Sequence, residues 1–241
     1  MSQYLLASHV YLCVTDDHAV LLDLKRDKYV GVGRSQMKVL AERVKGWPAI
    51  SAGRESHERA DSLLSQMLTA GMLTTDCTLG KAAEPIDIAC PQSTLSALDY
   101  PTSVNPFEAR PAITFAHFML FLRASIAARM ALRWRPIASV VAKVRSRKLR
   151  RGAAQTLDLG AARKLVATFV HLRPLLFTTR DACLADSLSL VNFLSYYRIF
   201  PTWVFAVQTG PFAAHCWVQE GELVFNDTPD HVRRFTPILA I

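Results

Sequence analysis

The chain has 241 residues, 51% of them hydrophobic, and a formal net charge of +8. That length holds two small domains or one large one, and the apolar content is enough for real cores, so the protein reads as globular. Five cysteines (Cys13, Cys77, Cys90, Cys183 and Cys216), odd in number and irregularly spaced, with no signal-peptide pattern at Met1, exclude a disulfide framework and point to a reducing, cytoplasmic setting.

Strand patterns come first. HVYLCVT (9–15), AVLLDLK (19–25) and KYVGVG (28–33) are separated by Asp-rich or charged turns. Helical spacing follows in RSQMKVLAERV (34–44), capped by Ser35. It recurs in SHERADSLLSQMLTAGML (56–73), where Ala60, Leu63, Leu64, Met67 and Leu68 form the buried face and Gly71 ends the helix. Three short strands and then helices predict a winged-helix-like domain over residues 1–80. Residues 81–111 read as a linker, because the stretch from 80 to 111 has five prolines, mixed polarity and no sustained period.

A second domain is expected over 112–241. Its longest apolar run, AITFAHFMLFL (112–122), is about half of what a membrane span requires. Arg123, Arg129 and Arg133 follow it, so a buried helix is expected and no membrane partner. Helical patterns cover 113–132, 137–149, 160–173 and 182–197, and strand-like TWVFAVQ (202–208) and a hairpin come after them. Helices first and a small antiparallel sheet last make this half α+β. The charge is uneven: residues 113–155 carry 10 basic groups and no acid, whereas 156–241 carry 7 of each. That basic segment reads first as a solvated face, next as a docking surface for an acidic partner or peptide, and last as a nucleic-acid contact.

Two stretches carry chemistry. In TRDACLADSLSLVNFL (179–194), Asp181 can cap a helix whose Leu184, Leu188, Val191 and Leu194 repeat at helical spacing, which leaves Cys183 in the first turn. A free Cys in an apolar run is commonly a small core residue. Here the unpaired N–H groups and the positive end of the helix dipole favour a thiolate, which is a nucleophile. In AAHCWVQEGELVFNDTPD (213–230), AHCWVQ and LVFND read as strands joined at EGE. A turn centred on Gly221 sets Gln219 opposite Leu223, Trp217 opposite Phe225 and His215 opposite Asp227. Opposed side chains share a face and are close enough for an imidazole to donate to a carboxylate. Cys183, His215 and Asp227 then match the nucleophile, base and orienter of a thiol protease or acyltransferase.

Cys216 reads as core packing behind that site, since neighbours on a strand point to opposite faces. The same alternation keeps His215 and Cys216 off a common ion. No C-x-x-C or H-x-x-x-H spacing and no Gly-rich phosphate loop occurs, so no metal, nucleotide or other cofactor is expected.

The segment CLADSLSLVNFLSYYRIFPTWVFAVQTGPFAAHCWVQEGELVFND resembles the leader-peptidase domain of lasso-peptide biosynthesis, a transglutaminase-like Cys-His-Asp fold. The shared elements are a Cys followed by a Ser/Leu-rich helix, a Pro leading into a strand, a PF-x-AH-x-WV stretch and a closing ND; Gln219 and Glu220 alter the usual WVE. AVLLDLKRDKYVGVG and the helix after it are similar to the PqqD-like domains that bind leader peptides of ribosomally made natural products. The resemblance implies a leader-recognition domain fused to a transglutaminase-like cysteine protease domain, acting in the cytoplasm on a lasso precursor. It implies that Cys183 is the nucleophile, His215 the base and then the acid, and Asp227 the orienter. A partner cyclase, similar to asparagine synthetases, would then close the ring.

Strand geometry together with the resemblance places the leader at the open edge of KYVGVG, along Tyr29, Val30, Gly31 and Val32, with side chains entering a groove that includes Leu64 and Met67. Gly31 and Gly33 leave room for a second backbone. Two other classes fit some of the same features. One is an amide-forming acyltransferase of the Cys-first type. The other is a winged-helix DNA-binding regulator, but residues 56–73 have Arg59 as their one basic residue beside Glu55, Glu58 and Asp61, so no nucleic-acid partner is expected.

Overall fold

The computed structural model describes residues 3–15, 18–48, 57–95, 112–150, 158–176 and 183–241. The chain divides into two compact units. One is Met1–Asp87 with Val207–Ala213 and Thr236–Leu239; the other is Ile88–Ala206 with Ala214–Phe235 and Ala240–Ile241.

In the first unit, β1 (Leu5–Ala7), β2 (Val10–Val14), β3 (Ala19–Asp23) and β4 (Lys28–Val32) precede α1 (Arg34–Arg43), α2 (His57–Thr69), β5 (Leu73–Thr74) and β6 (Gly80–Lys81). The three expected strands, β2, β3 and β4, form an antiparallel sheet in that order, with Val10 opposite Asp23 and Ala19 opposite Val32. A second sheet, β5-β1-β6, has no counterpart in the sequence reading, because strands of two or three residues are too short to show alternation. The α1 cap is Gly33 and not Ser35: the Gly33 N–H donates to Gln36 Oε1 at 3.0 Å, and Ser35 already lies inside the helix. Gly71, at φ +66°, ends the α2 segment as expected, with its own N–H on Leu68 O and that of Met72 on Met67 O. Leu64 and Met67 pack with Leu6, Leu21, Val32 and Leu40 in one core; the Ala60 side chain lies outside the described residues.

In the second unit, β7 (Ser93–Thr94) precedes α3 (Phe115–Trp134), α4 (Ile137–Arg150), α5 (Leu159–Leu172) and α6 (Cys183–Tyr196). The rest of the chain forms β8 (Thr202–Thr209), β9 (Phe212–Glu220), β10 (Leu223–Val224), α7 (Pro229–Val232) and β11 (Thr236–Ala240); the end of β8, the start of β9 and all of β11 but Ala240 count with the first unit. The strands form one sheet in the order β11-β8-β9-β10-β7, antiparallel between β9 and β10 and parallel between β10 and β7. The mixed architecture is the expected one, strands then helices followed by helices then a sheet. The stretch read as a linker is not featureless, since it contributes the edge strand β7.

The helix that carries Cys183 is the centre of its unit. α6 is buried without a break from Asp186 to Leu194, as a helix packed on several sides must be. α3 packs on it, and the small Ala124, Ser125 and Ala128 on the buried face of α3 permit a close approach. Phe121, Phe169 and Phe193 join α3, α5 and α6 in a chain of ring contacts with centroids 5.3 and 5.8 Å apart. Each of these buried rings stabilises the unit by roughly 2–3 kcal/mol. The expectation of a buried helix after residue 112 is corrected. α3 has 20 residues and a mean hydropathy of 1.3 in its most apolar window, long and apolar enough to cross a membrane, yet only 22% of that window is buried. One face packs on α6; Phe115 and Trp134 on the other side are 79% and 70% exposed.

Candidate active site

The hairpin differs from its expected register by one residue. β9 and β10 pair Glu220 with Leu223 and Gln219 with Val224, because the turn consists of Gly221 and Glu222, with Gly221 at φ +54°. Gln219 therefore does not face Leu223, nor Trp217 Phe225, and continuing the ladder would not oppose His215 to Asp227. They meet because the strand stops. β10 ends at Val224, and beyond it the Phe225 N–H still reaches Val218 O at 2.9 Å. The Asn226 side chain then takes the place of backbone, its Oδ1 accepting the Val218 N–H at 2.9 Å. The chain bends there, so Asp227 escapes strand alternation and its Oδ2 lies 2.6 Å from His215 Nε2.

The same early end of β10 opens a place for Cys183. Both backbone groups of Val218 face the β10 side, so by the period of two those of Cys216 do as well, where no strand continues. Cys183, at the head of α6, lies beside that edge, where the Cys216 thiol, the His215 imidazole and the Cys216 N–H all favour its charged form. Cys216 is 3% exposed, the core residue expected behind the site, and its thiol in addition influences Cys183. Alternation fixes where a Cβ points, and a sulfur beside the strand edge can be reached from both neighbouring side chains and from the backbone between them. Behind it, Ser187 Oγ donates to Cys183 O at 2.7 Å, lies 3.3 Å from Cys216 Sγ and accepts from Trp203 Nε1 at 2.9 Å. Asp181, the expected cap, lies outside the described residues.

These contacts fix the charges. The Cys216 thiol is the largest influence on Cys183. With His215 it overrides the opposing effect of burial and brings the Cys183 thiol down to about 4. The Cys216 thiol itself is pushed well above its ordinary value, first by its bond to Cys183 and then by burial. Burial disfavours a charged His215, but hydrogen bonds to Asp227 and Cys183 outweigh it and raise the imidazole to about 9. For Asp227, burial is outweighed by bonds from His215, His231 and the Thr228 N–H, which hold the carboxyl below the usual range. A thiolate beside an imidazolium that a carboxylate orients is equipped to attack a carbonyl and to protonate a leaving group.

Several supporting residues have no place in the sequence reading. Asp186, 2% exposed, accepts from Asn226 Nδ2 at 2.8 Å and forms an ion pair with Arg173 Nε at 3.0 Å. Arg173 also donates to Asn226 O at 3.3 Å, so the residue before Asp227 is held at both ends. Burial raises the Asp186 carboxyl, while Arg173 and Asn226 favour its charged form. The i, i+3 spacing from Cys183 to Asp186 would have placed both on one helix face. His231, four residues after Asp227, puts Nδ1 3.0 Å from each Asp227 oxygen. His215, Asp227 and His231 present ligand atoms within 4.8 Å of one another, although the same atoms already bond among themselves.

At the expected leader site, Tyr29 and Val30 on β4 are half-buried, Gly31 is exposed and Val32 is buried. Leu64 and Met67 are 3% and 4% exposed and belong to the core, which takes them out of a groove-lining role: the α2 face that carries them is consumed by packing against the sheet. Gly33 is occupied as the α1 cap.

Residues 122–240 match the transglutaminase-like superfamily. No curated protein and no solved structure matches the chain. The C-terminal part thus has a fold of the cysteine protease and acyltransferase type, and Cys183, His215 and Asp227 all fall inside it.

Proposed function

We propose that the chain is a cysteine peptidase that removes the leader from a ribosomally made lasso precursor in the cytoplasm, ahead of ring closure by a partner cyclase similar to asparagine synthetases. The observation that carries this reading is the His215–Asp227 pair, 2.6 Å apart, with its imidazole near enough to Cys183 to favour a thiolate. The superfamily match over the same residues supports thiol chemistry. The leader reading draws on the sequence resemblance and on the outer edge of β4, which has no strand partner among the described residues.

In this mechanism the Cys183 thiolate attacks the scissile carbonyl and forms a C–S bond, while the carbonyl oxygen takes up the negative charge. The Cys183 N–H, at the start of α6, helps to hold that oxyanion. The tetrahedral intermediate collapses, the C–N bond breaks, and the His215 imidazolium gives its proton to the leaving amine. His215, now neutral, takes a proton from water as the water attacks the thioester. The leader leaves as a carboxylic acid and the thiolate is restored. An acyltransferase of the same fold would differ only in that an amine replaces the water.

Incubating the purified chain with a precursor from a neighbouring gene and weighing the products tests this. Two fragments whose masses sum to the precursor plus one water are expected. An intact precursor, or a product that has gained an amine, would sink the peptidase reading.

A further inference from the structure

A cavity of about 560 Å³ opens among α3, α4 and the C-terminal half of α6. Arg123 of α3 and Lys143, Arg147 and Arg150 of α4 line it together with Asn192 and Tyr196 of α6, and among the described residues no acidic side chain does. Arg147 is the most enclosed of the four cations. Its Nη1 donates to Asn192 Oδ1 at 2.9 Å, and Asn192 is itself 7% exposed. Burial, the largest influence, holds the Arg147 guanidinium below the ordinary arginine value, and neighbouring Arg150 acts in the same direction. Arg123 lies over the Tyr196 ring, 5.4 Å from its centroid, and Arg150 donates back to Ser146 O at 3.3 Å. Neutral partners thus hold three of these cations in place, an arrangement that lacks a counter-charge among the described residues.

All four cations come from the stretch of 113–155 that has 10 basic groups and no acid. Completing the dipole of α4 accounts for Arg147 and Arg150, which sit in its last turn. It does not account for Arg123 and Lys143 facing the same space. A concave site of this size suits a compact ligand better than a nucleic-acid backbone. Guanidinium groups match phosphate oxygens two at a time, and four positive charges favour a multiply charged anion over a single carboxylate.

We infer that this cavity is a binding site for a phosphate group, carried either by a small polyphosphate or by a lipid headgroup.

Calorimetry with inorganic pyrophosphate at physiological ionic strength, and co-sedimentation with phosphatidylglycerol–phosphatidylcholine vesicles against phosphatidylcholine alone, separate the two sources. Binding of pyrophosphate, of the anionic vesicles or of both is expected. It should weaken about ten-fold or more in a Lys143→Gln/Arg150→Gln double variant. Both residues are exposed, so the variant should keep its fold, as circular dichroism would verify. Binding of neither probe, affinity unchanged in the double variant, or tighter binding of a poly-glutamate peptide than of pyrophosphate would each overturn the assignment.

Discussion

His215 Nε2 and Asp227 Oδ2 lie 2.6 Å apart although the two residues are not partners across the hairpin. The contact depends on a strand that ends at Val224 and on Asn226, whose side chain replaces the missing backbone. The orienting carboxylate therefore belongs to a bend, and its position is set by the residue before it.

Removing each member of the site should separate their roles. Cys183→Ala should abolish cleavage, since no other group can form the thioester, and His215→Ala should be nearly as severe. Asp227→Asn keeps a polar partner for the imidazole but loses its charge, so kcat/KM should fall by about 100-fold, less than for either of the others. Rates of precursor cleavage followed by mass spectrometry check this, and wild-type turnover by Cys183→Ala would rule out the thiol mechanism.

Asn226→Ala should cost both stability and rate. It leaves the buried Val218 N–H and one oxygen of Asp186 without partners, at about 1–3 kcal/mol for each orphaned group. A loss of about 2–4 kcal/mol in urea unfolding is expected, with slower cleavage because Asp227 is no longer held. A loss under about 0.5 kcal/mol would mean that the bend does not depend on this side chain.

The pH dependence follows from the thiolate–imidazolium pair. Cys183 is ionised above about 4 and His215 stays protonated up to about 9, so kcat/KM should be bell-shaped with limbs near those values. The charged imidazole also contributes to stability. The folded His215 value lies above the ordinary 6.5, so its contribution is fully present below 6.5 and is lost as pH rises through about 9. The unfolding free-energy gap between wild type and His215→Ala should accordingly shrink over that window. A gap that grew with pH would contradict the charged imidazole.

Cys216 gives a sharper test, because its thiol is the largest influence lowering Cys183. Cys216→Ala should move the iodoacetamide alkylation midpoint of Cys183 upward by about one to two pH units, and kcat/KM should fall most on the acid side. Cys216→Ser keeps a donor and should lie close to wild type. Identical alkylation profiles for Cys216→Ala and wild type would remove Cys216 from the site.

Cys183 and His215 are legible from the sequence because helical spacing sets a Cys at a helix head and a strand carries the imidazole behind it. Asp227 follows only from a turn centred on Gly221, whereas the actual turn holds Gly221 and Glu222 and a bend restores the contact. No local pattern reports that a side chain such as Asn226 stands in for backbone. β7 and β11 are hidden for a related reason: each is defined by partners distant in the chain, and β7 has two residues inside a proline-rich stretch. The α1 cap was open to reading, since Gln36 stands three residues after Gly33, the spacing at which a side chain reaches back to a cap N–H.

The last prediction concerns leader binding at β4. Its outer edge has no strand partner among the described residues, and a Cβ added at Gly31 would meet nothing within 4 Å. Along a strand the N–H groups alternate between the two edges, so those of Val30 and Gly31 face opposite ways. Of Val30→Pro and Gly31→Pro, one therefore cuts the ladder to β3 and the other removes an outward donor. In a full-length Cys183→Ala background, the variant that damages the ladder should melt at lower temperature. The other should keep the wild-type melt and bind a fluorescent leader peptide about five- to ten-fold more weakly, the loss of one main-chain hydrogen bond. If that fold-neutral variant held the leader as tightly as wild type, the leader would not add a strand at this edge, and recognition would have to be sought elsewhere while the Cys183 chemistry stood unaffected.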